Sequence, residues 1–89
     1  MSQLQRTDDI KLTVRTADQT RKAAIEIDPL QTGAQVIQTA ADNWSLPTDT
    51  DYALVNTTTG KVIGPGESLG DAARNGDQLE IQPVLVAGQ

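Results

Sequence analysis

Few side chains in this sequence could carry out a reaction. There is no Cys, which excludes thiolate nucleophiles, disulfides and thiolate metal sites. There is no His, the commonest general base and metal ligand. Asp49 and Asp51 place two carboxylates in one short loop, but no further ligand or catalytic partner accompanies them, so they read as solvated. Gly64-Pro65-Gly66 is a breaker cluster, not a phosphate cradle, because no Lys-Ser/Thr pair follows it. Trp44 falls on an apolar helical stripe and reads as core. What remains is the end of the chain. Beyond Pro83, the stretch Val84-Leu85-Val86-Ala87-Gly88-Gln89 is an apolar tail without a polar face, with the small residues Ala87 and Gly88 before Gln89. A globular domain has little structural reason to carry such a segment past its last strand. The chain therefore reads as a small domain that presents a tail, and an enzyme is the least expected class.

The elements that must hold that tail follow from periodicity. Ile10-Lys11-Leu12-Thr13-Val14-Arg15 alternates apolar and polar, a strand with one buried face. Ala17-Asp18-Gln19 is a polar interruption without Gly, which favours a longer hairpin loop over a two-residue turn. A second strand places Ala23, Ile25 and Ile27 on one face and stops at Pro29. Thr32 with Gln35 three residues on forms a capping box. The helix it opens carries Val36, Ile37, Ala40, Ala41 and Trp44 as one apolar stripe, and Leu46-Pro47 closes it. Short strands are expected at Tyr52–Val55 and Lys61–Ile63, with a turn at 56–60 between them. Ser68 to Arg74 reads as one short helical turn, and Asn75-Gly76-Asp77 as a tight reversal. Gln78-Leu79-Glu80-Ile81-Gln82 is the last strand, and Pro83, lacking an N–H, is expected to end any central ladder.

The expected organisation is a disordered leader over residues 1–9, one domain over 10–82 and an extended C-terminal tail over 83–89. The order strand, strand, helix, strand, strand, short turn, strand predicts an α+β, β-grasp architecture. Its mixed sheet of four to five strands carries one helix across one face and leaves the other face wet. Eighty-nine residues make one domain with a modest core. The formal net charge of −5 argues against binding nucleic acid through phosphates. The charge is uneven: residues 1–22 hold five bases against three acids, whereas 23–89 hold two bases against nine acids. No apolar run has the length of a membrane span. Met1 to Asp9 has no apolar centre of the signal-peptide kind, so a cytoplasmic protein is the default expectation; a monomer is expected as well.

At this point the chain resembles ubiquitin and its relatives over nearly all of residues 10–88. Ile10 to Thr16 has the rhythm of the family's first strand, and Ile25-Glu26-Ile27-Asp28-Pro29 resembles the second strand and its closing acid–proline pair. Thr32 sits where the family places a helix-capping Thr, and Gly60-Lys61 resembles the turn carrying a chain-forming lysine. Ser68-Leu69-Gly70-Asp71 is similar to the short helical turn, and Gln78-Leu79-Glu80-Ile81 to the last strand. The body looks more like the bacterial YukD/EsaB group, whose members assist type VII secretion, but the chain runs eight residues past Ile81. Gly88 falls where ubiquitin has its terminal Gly, with Ala87 in place of the preceding Gly and Val84 and Val86 in place of basic residues.

That resemblance implies a bacterial ubiquitin-like protein modifier without catalytic groups or cofactors of its own. Its conjugation tail would be Val84, Leu85, Val86, Ala87 and Gly88, processed between Gly88 and Gln89, with Lys61 as the chain-forming lysine. The partners implied are an adenylating (activating) enzyme, a conjugating or carrier enzyme, a processing peptidase and protein targets, with neither nucleic acid nor membrane among them. The family's apolar recognition patch would fall on Ala17, Val55 and Gln82, of which only Val55 is substantially apolar, so receptors for that patch are not expected to bind. The alternative is a non-covalent YukD/EsaB-like accessory protein of type VII secretion. A sulfur carrier fits less well, because it needs a free terminal Gly-Gly.

Overall fold

A computed structural model describes residues 9–47 and 49–84. The expected leader over 1–9 lies outside this range except for Asp9, which is exposed and in no regular element. The elements in chain order are β1 (Ile10–Thr16), β2 (Lys22–Ile27), α1 (Gly33–Trp44), β3 (Asp51–Asn56), β4 (Lys61–Ile63), α2 (Leu69–Ala72) and β5 (Gln78–Val84). The five strands form one sheet in the order β2-β1-β5-β3-β4. Only the β1/β5 pairing is parallel, and the other three are antiparallel. The α+β, β-grasp expectation and its five-strand limit therefore hold.

The alternation read from the sequence is the alternation of burial. Ile10, Leu12 and Val14 of β1, Leu54 of β3, Ile63 of β4, and Leu79 and Ile81 of β5 are buried together with Val36 and Ala40 of α1 and Leu69 of α2. Each larger aliphatic among them contributes on the order of 1.5–3 kcal/mol. Ile25, Ile37 and Trp44, also expected in the core, are partly buried against it.

The start of α1 is built as its sequence requires. Gln35 N–H donates to Thr32 Oγ1 at 3.3 Å, and Thr32 N–H donates to Gln35 Oε1 at 2.9 Å. The glycine–proline cluster and the residue after it supply two more partners: Ala34 N–H donates to Pro65 O and Gly33 N–H to Glu67 O. These contacts satisfy first-turn donors that a helix leaves open, and they give Gly64-Pro65-Gly66 a structural role. Gly33 is required there, because an added Cβ would lie 2.6 Å from Gly64 O. The far end of α1 closes one residue earlier than Leu46-Pro47 predicts. Ser45 adopts the left-handed conformation with φ 53° and its N–H donates to Ala41 O.

Two strands are longer than expected. β3 runs from Asp51 to Asn56 and not from Tyr52 to Val55. β5 does not end at Gln82: it continues through Pro83, paired with Tyr52, and Val84, paired with Asp51. Along β5, residues two apart turn their backbone groups to the same side. Ile81 O accepts from Ala17 N–H, on the β1 side, so Pro83 also faces that side. The last β1/β5 pair is Thr16 with Ile81. The missing N–H of Pro83 therefore meets no strand, and the β3 ladder is undisturbed.

Candidate functional site: the base of the tail

The candidate site is the end of β5 and the groove beside it. A groove of about 500 Å³ is lined by Thr16, Ala17, Asp18, Thr20 and Arg21 of the β1–β2 loop region, Trp44, Leu46 and Pro47 after α1, and Tyr52, Ile81 and Pro83. Both aromatic residues of the chain, Trp44 and Tyr52, meet here. Tyr52 is fixed by its hydroxyl, which donates to Pro47 O at 2.9 Å. Val84 is exposed at the end of the strand. The arrangement is a platform whose floor is apolar, from Trp44, Leu46, Ile81 and Pro83, with Asp18, Thr20 and Arg21 among its polar lining.

The loop on its rim is held by one carboxylate. Asp18 Oδ1 accepts from Thr16 Oγ1 at 2.6 Å, from Thr20 N–H at 3.1 Å and from Thr20 Oγ1 at 2.8 Å. The Thr16 hydroxyl bond, followed by the two from Thr20, lowers the Asp18 pKa from 3.8 to about 2. Gln19 takes φ 62° at the turn, the role a glycine would otherwise fill.

The predicted site residues are not all brought together. Val84 lies in β5, whereas Leu85, Val86, Ala87, Gly88 and Gln89 lie outside the described residues. Lys61 opens β4, and its Nζ is 2.9 Å from Glu67 Oε2. The other oxygen of Glu67 accepts from Gly64 N–H at 3.1 Å. The Lys61 contact, then the Gly64 N–H, hold the Glu67 pKa below its ordinary 4.5. Lys61 is thus a paired residue and not a simply solvated one, and it must leave Glu67 to act as a nucleophile. Asp49 is exposed in a bend and Asp51 is paired in β3. Among the described residues, no group of three or more His, Cys, Asp or Glu could hold a metal ion. No described helix is long and apolar enough to cross a membrane.

On the open face, Val55 is flanked by Val62 of β4 and by Glu80 of β5. Glu80 Oε2 lies 3.8 Å from Arg15 Nε, and Glu80 Oε1 accepts from Gln82 Nε2 at 3.2 Å. A half-buried ion pair thus occupies the middle of the face where Val55 alone was expected to count.

Periodicity missed one anchor. Asn56, expected in a turn, is the last residue of β3 and fully buried. Its Nδ2 donates to Asp77 Oδ2 at 2.8 Å and to Ala72 O at 3.1 Å. Its Oδ1 accepts from Thr58 N–H and Thr59 N–H. Asp77 Oδ2 also accepts from Arg74 N–H at 3.0 Å. The signal was present: Asn56 is two residues past Leu54, on the buried phase of the strand.

Comparison with known proteins adds the fold alone. No protein-family model and no curated protein matches the chain. Among solved structures, a ubiquitin from Caldiarchaeum subterraneum superposes with a TM-score of 0.70 at 22% identity, covering 90% of this chain and 99% of that one. A de novo design based on ubiquitin superposes with a TM-score of 0.73 at 14% identity, covering 94% and 99%. The fold is ubiquitin-like.

Proposed function

We propose that the chain is a ubiquitin-like protein modifier of bacterial type, activated at Gly88 after loss of Gln89. The observation that carries this reading is the course of β5. The strand lies between β1 and β3, outruns β1 at Ile81, and delivers Val84 to an exposed edge from which the sequence continues into Leu85-Val86-Ala87-Gly88-Gln89. A peptidase would hydrolyse the Gly88–Gln89 bond. An adenylating enzyme would then join the freed Gly88 carboxylate to the AMP part of ATP, releasing pyrophosphate. A carrier thiol would displace AMP, and a target amine or hydroxyl would displace the thiol. Gly88, without a Cβ, leaves the carbonyl open to attack from either face. The modifier contributes the acyl group and a rigid body by which the enzymes hold it, and the groove at Trp44 and Tyr52 is lined in part by Pro83, next to the last described residue.

The test is the intact mass of the chain after incubation with host lysate and ATP. Loss of the Gln89 residue, followed by adducts that Gly88→Glu abolishes, is the expected result. An unchanged mass, with the tail deletable at no cost to function, overturns it and leaves the non-covalent accessory of secretion.

A further inference from the structure

The two edges of the sheet are unequal. β4 has only three residues and runs into Gly64-Pro65-Gly66. β2 has six residues, Lys22-Ala23-Ala24-Ile25-Glu26-Ile27, without Pro or Gly. Among the described residues it pairs only with β1. Long regular edges of this kind recruit further strands unless something blunts them.

The backbone phase of β2 is fixed by its pairing. Thr16 N–H donates to Arg21 O, so Arg21 turns its backbone toward β1, and so by alternation do Ala23, Ile25 and Ile27. Lys22, Ala24 and Glu26 therefore turn their N–H and C=O groups outward. Their side chains are all exposed on the open face of the sheet, whereas Ala23 and Ile25 are partly buried on the helix side. That outward set is self-complementary. With a two-fold axis at Ala24, an antiparallel second copy sets Ala24 against Ala24 and Lys22 against Glu26, twice. All three pairs fall in the closely bonded phase of the ladder. On the helix side, Ala23 meets Ile25 of the second copy. The small Ala23 admits that side chain beside the apolar groove of about 270 Å³ lined by Ile25, Val36, Ala40 and Trp44.

We propose that the β2 edge is a homodimer interface, joining two copies through antiparallel β2 strands into one continuous sheet. The proposal stands apart from the modifier reading and replaces the expectation of a monomer. Among the described residues the one ion pair of Glu26, with Lys11, does not oppose it, being 3.9 Å long between well-exposed side chains. The register is specified by charge together with the length of the strand. A slip of two residues in one direction sets Lys22 against Ala24. In the other direction it sets Lys22 against Asp28, which lies beyond the strand and already accepts the Leu30 N–H.

Sedimentation equilibrium over a wide concentration range tests this on the full chain. The wild type is expected to dimerise reversibly. Lys22→Glu and Glu26→Lys each turn two attractive pairs into two repulsive ones and should weaken the dimer about tenfold or more. An equimolar mixture of the two variants should restore it, because every cross-strand pair is then again of opposite sign. Ala24→Pro removes only the outward N–H and should leave a folded monomer, checked by circular dichroism. A wild type that stays monomeric throughout, or a dimer indifferent to the charge reversals and not restored in the mixture, overturns the proposal. The reciprocal rescue keeps the test decisive even where Ala24→Pro fails to fold.

Discussion

The two ends of β5 are built to opposite purposes. At its start, Gly76 N–H donates to Lys11 O, Lys11 N–H to Asn75 Oδ1 and Thr13 N–H to Asp77 O, so β1 is fastened to the turn before the strand. From the other side, Asn56 grips Asp77 and Ala72, Thr57 N–H donates to Gln78 O, and Gln78 N–H to Thr58 Oγ1. At its finish, the last pair with β1 is at Ile81, and among the described residues Pro83 and Val84 are paired only with β3. The lesson is that a strand can be held at one end by buried polar groups and released at the other simply by outlasting its neighbour. The proposed modifier function would use that division, because it calls for a rigid body beside a segment that an enzyme can take up.

The comparison breaks first at Asn56. Asn56→Ala leaves the Ala72 carbonyl and part of the Asp77 carboxylate without their partner in a buried site. It should cost on the order of 3 kcal/mol, read as a lower midpoint in urea unfolding with an unchanged slope. A loss below roughly 1 kcal/mol would mean that the start of β5 is held by its ladder alone. At the finish, the loop beside Pro83 should respond to acid. The Asp18 pKa is depressed to about 2 from an ordinary 3.8. Its contribution is therefore complete above 3.8 and lost as pH falls from there through about 2. NMR titration of the Asp18 carboxyl should give the low value, and Asp18→Ala should speed exchange of the Thr20 amide. A titration at the ordinary value would remove Asp18 as the organiser of the loop. The smallest effect is expected at Pro83 itself. The N–H introduced by Pro83→Ala meets no described strand, so the change should stay within about 0.5 kcal/mol in the same unfolding assay. A larger loss would show that the end of β5 is held more firmly than its pairing indicates.

Much of this was readable in advance, for a definite reason. The alternation of Ile10, Leu12 and Val14, the stripe of Val36, Ala40 and Trp44, and the Thr32–Gln35 capping box are local patterns, and local geometry is sufficient to produce them. The fold class followed from their order. Other features depend on who the neighbours are. The tolerance of β5 for Pro83 is decided by where β1 stops, because a missing N–H matters only where a strand waits for it. The burial of Asn56 is decided by Asp77 and Ala72, brought beneath it from residues 16 to 21 positions away. The pairing of Lys61 with Glu67 is decided by the fold of the glycine–proline turn between them. The edge position of β2 among the described strands is decided by the strand order, which puts the long second strand outermost. The sequence by itself therefore determined which residues form the elements and which face each buries, since both depend on spacing along one chain segment. The tertiary structure decided which backbone groups are spent and which remain open, since a hydrogen bond is a property of two segments and the sequence states only one at a time.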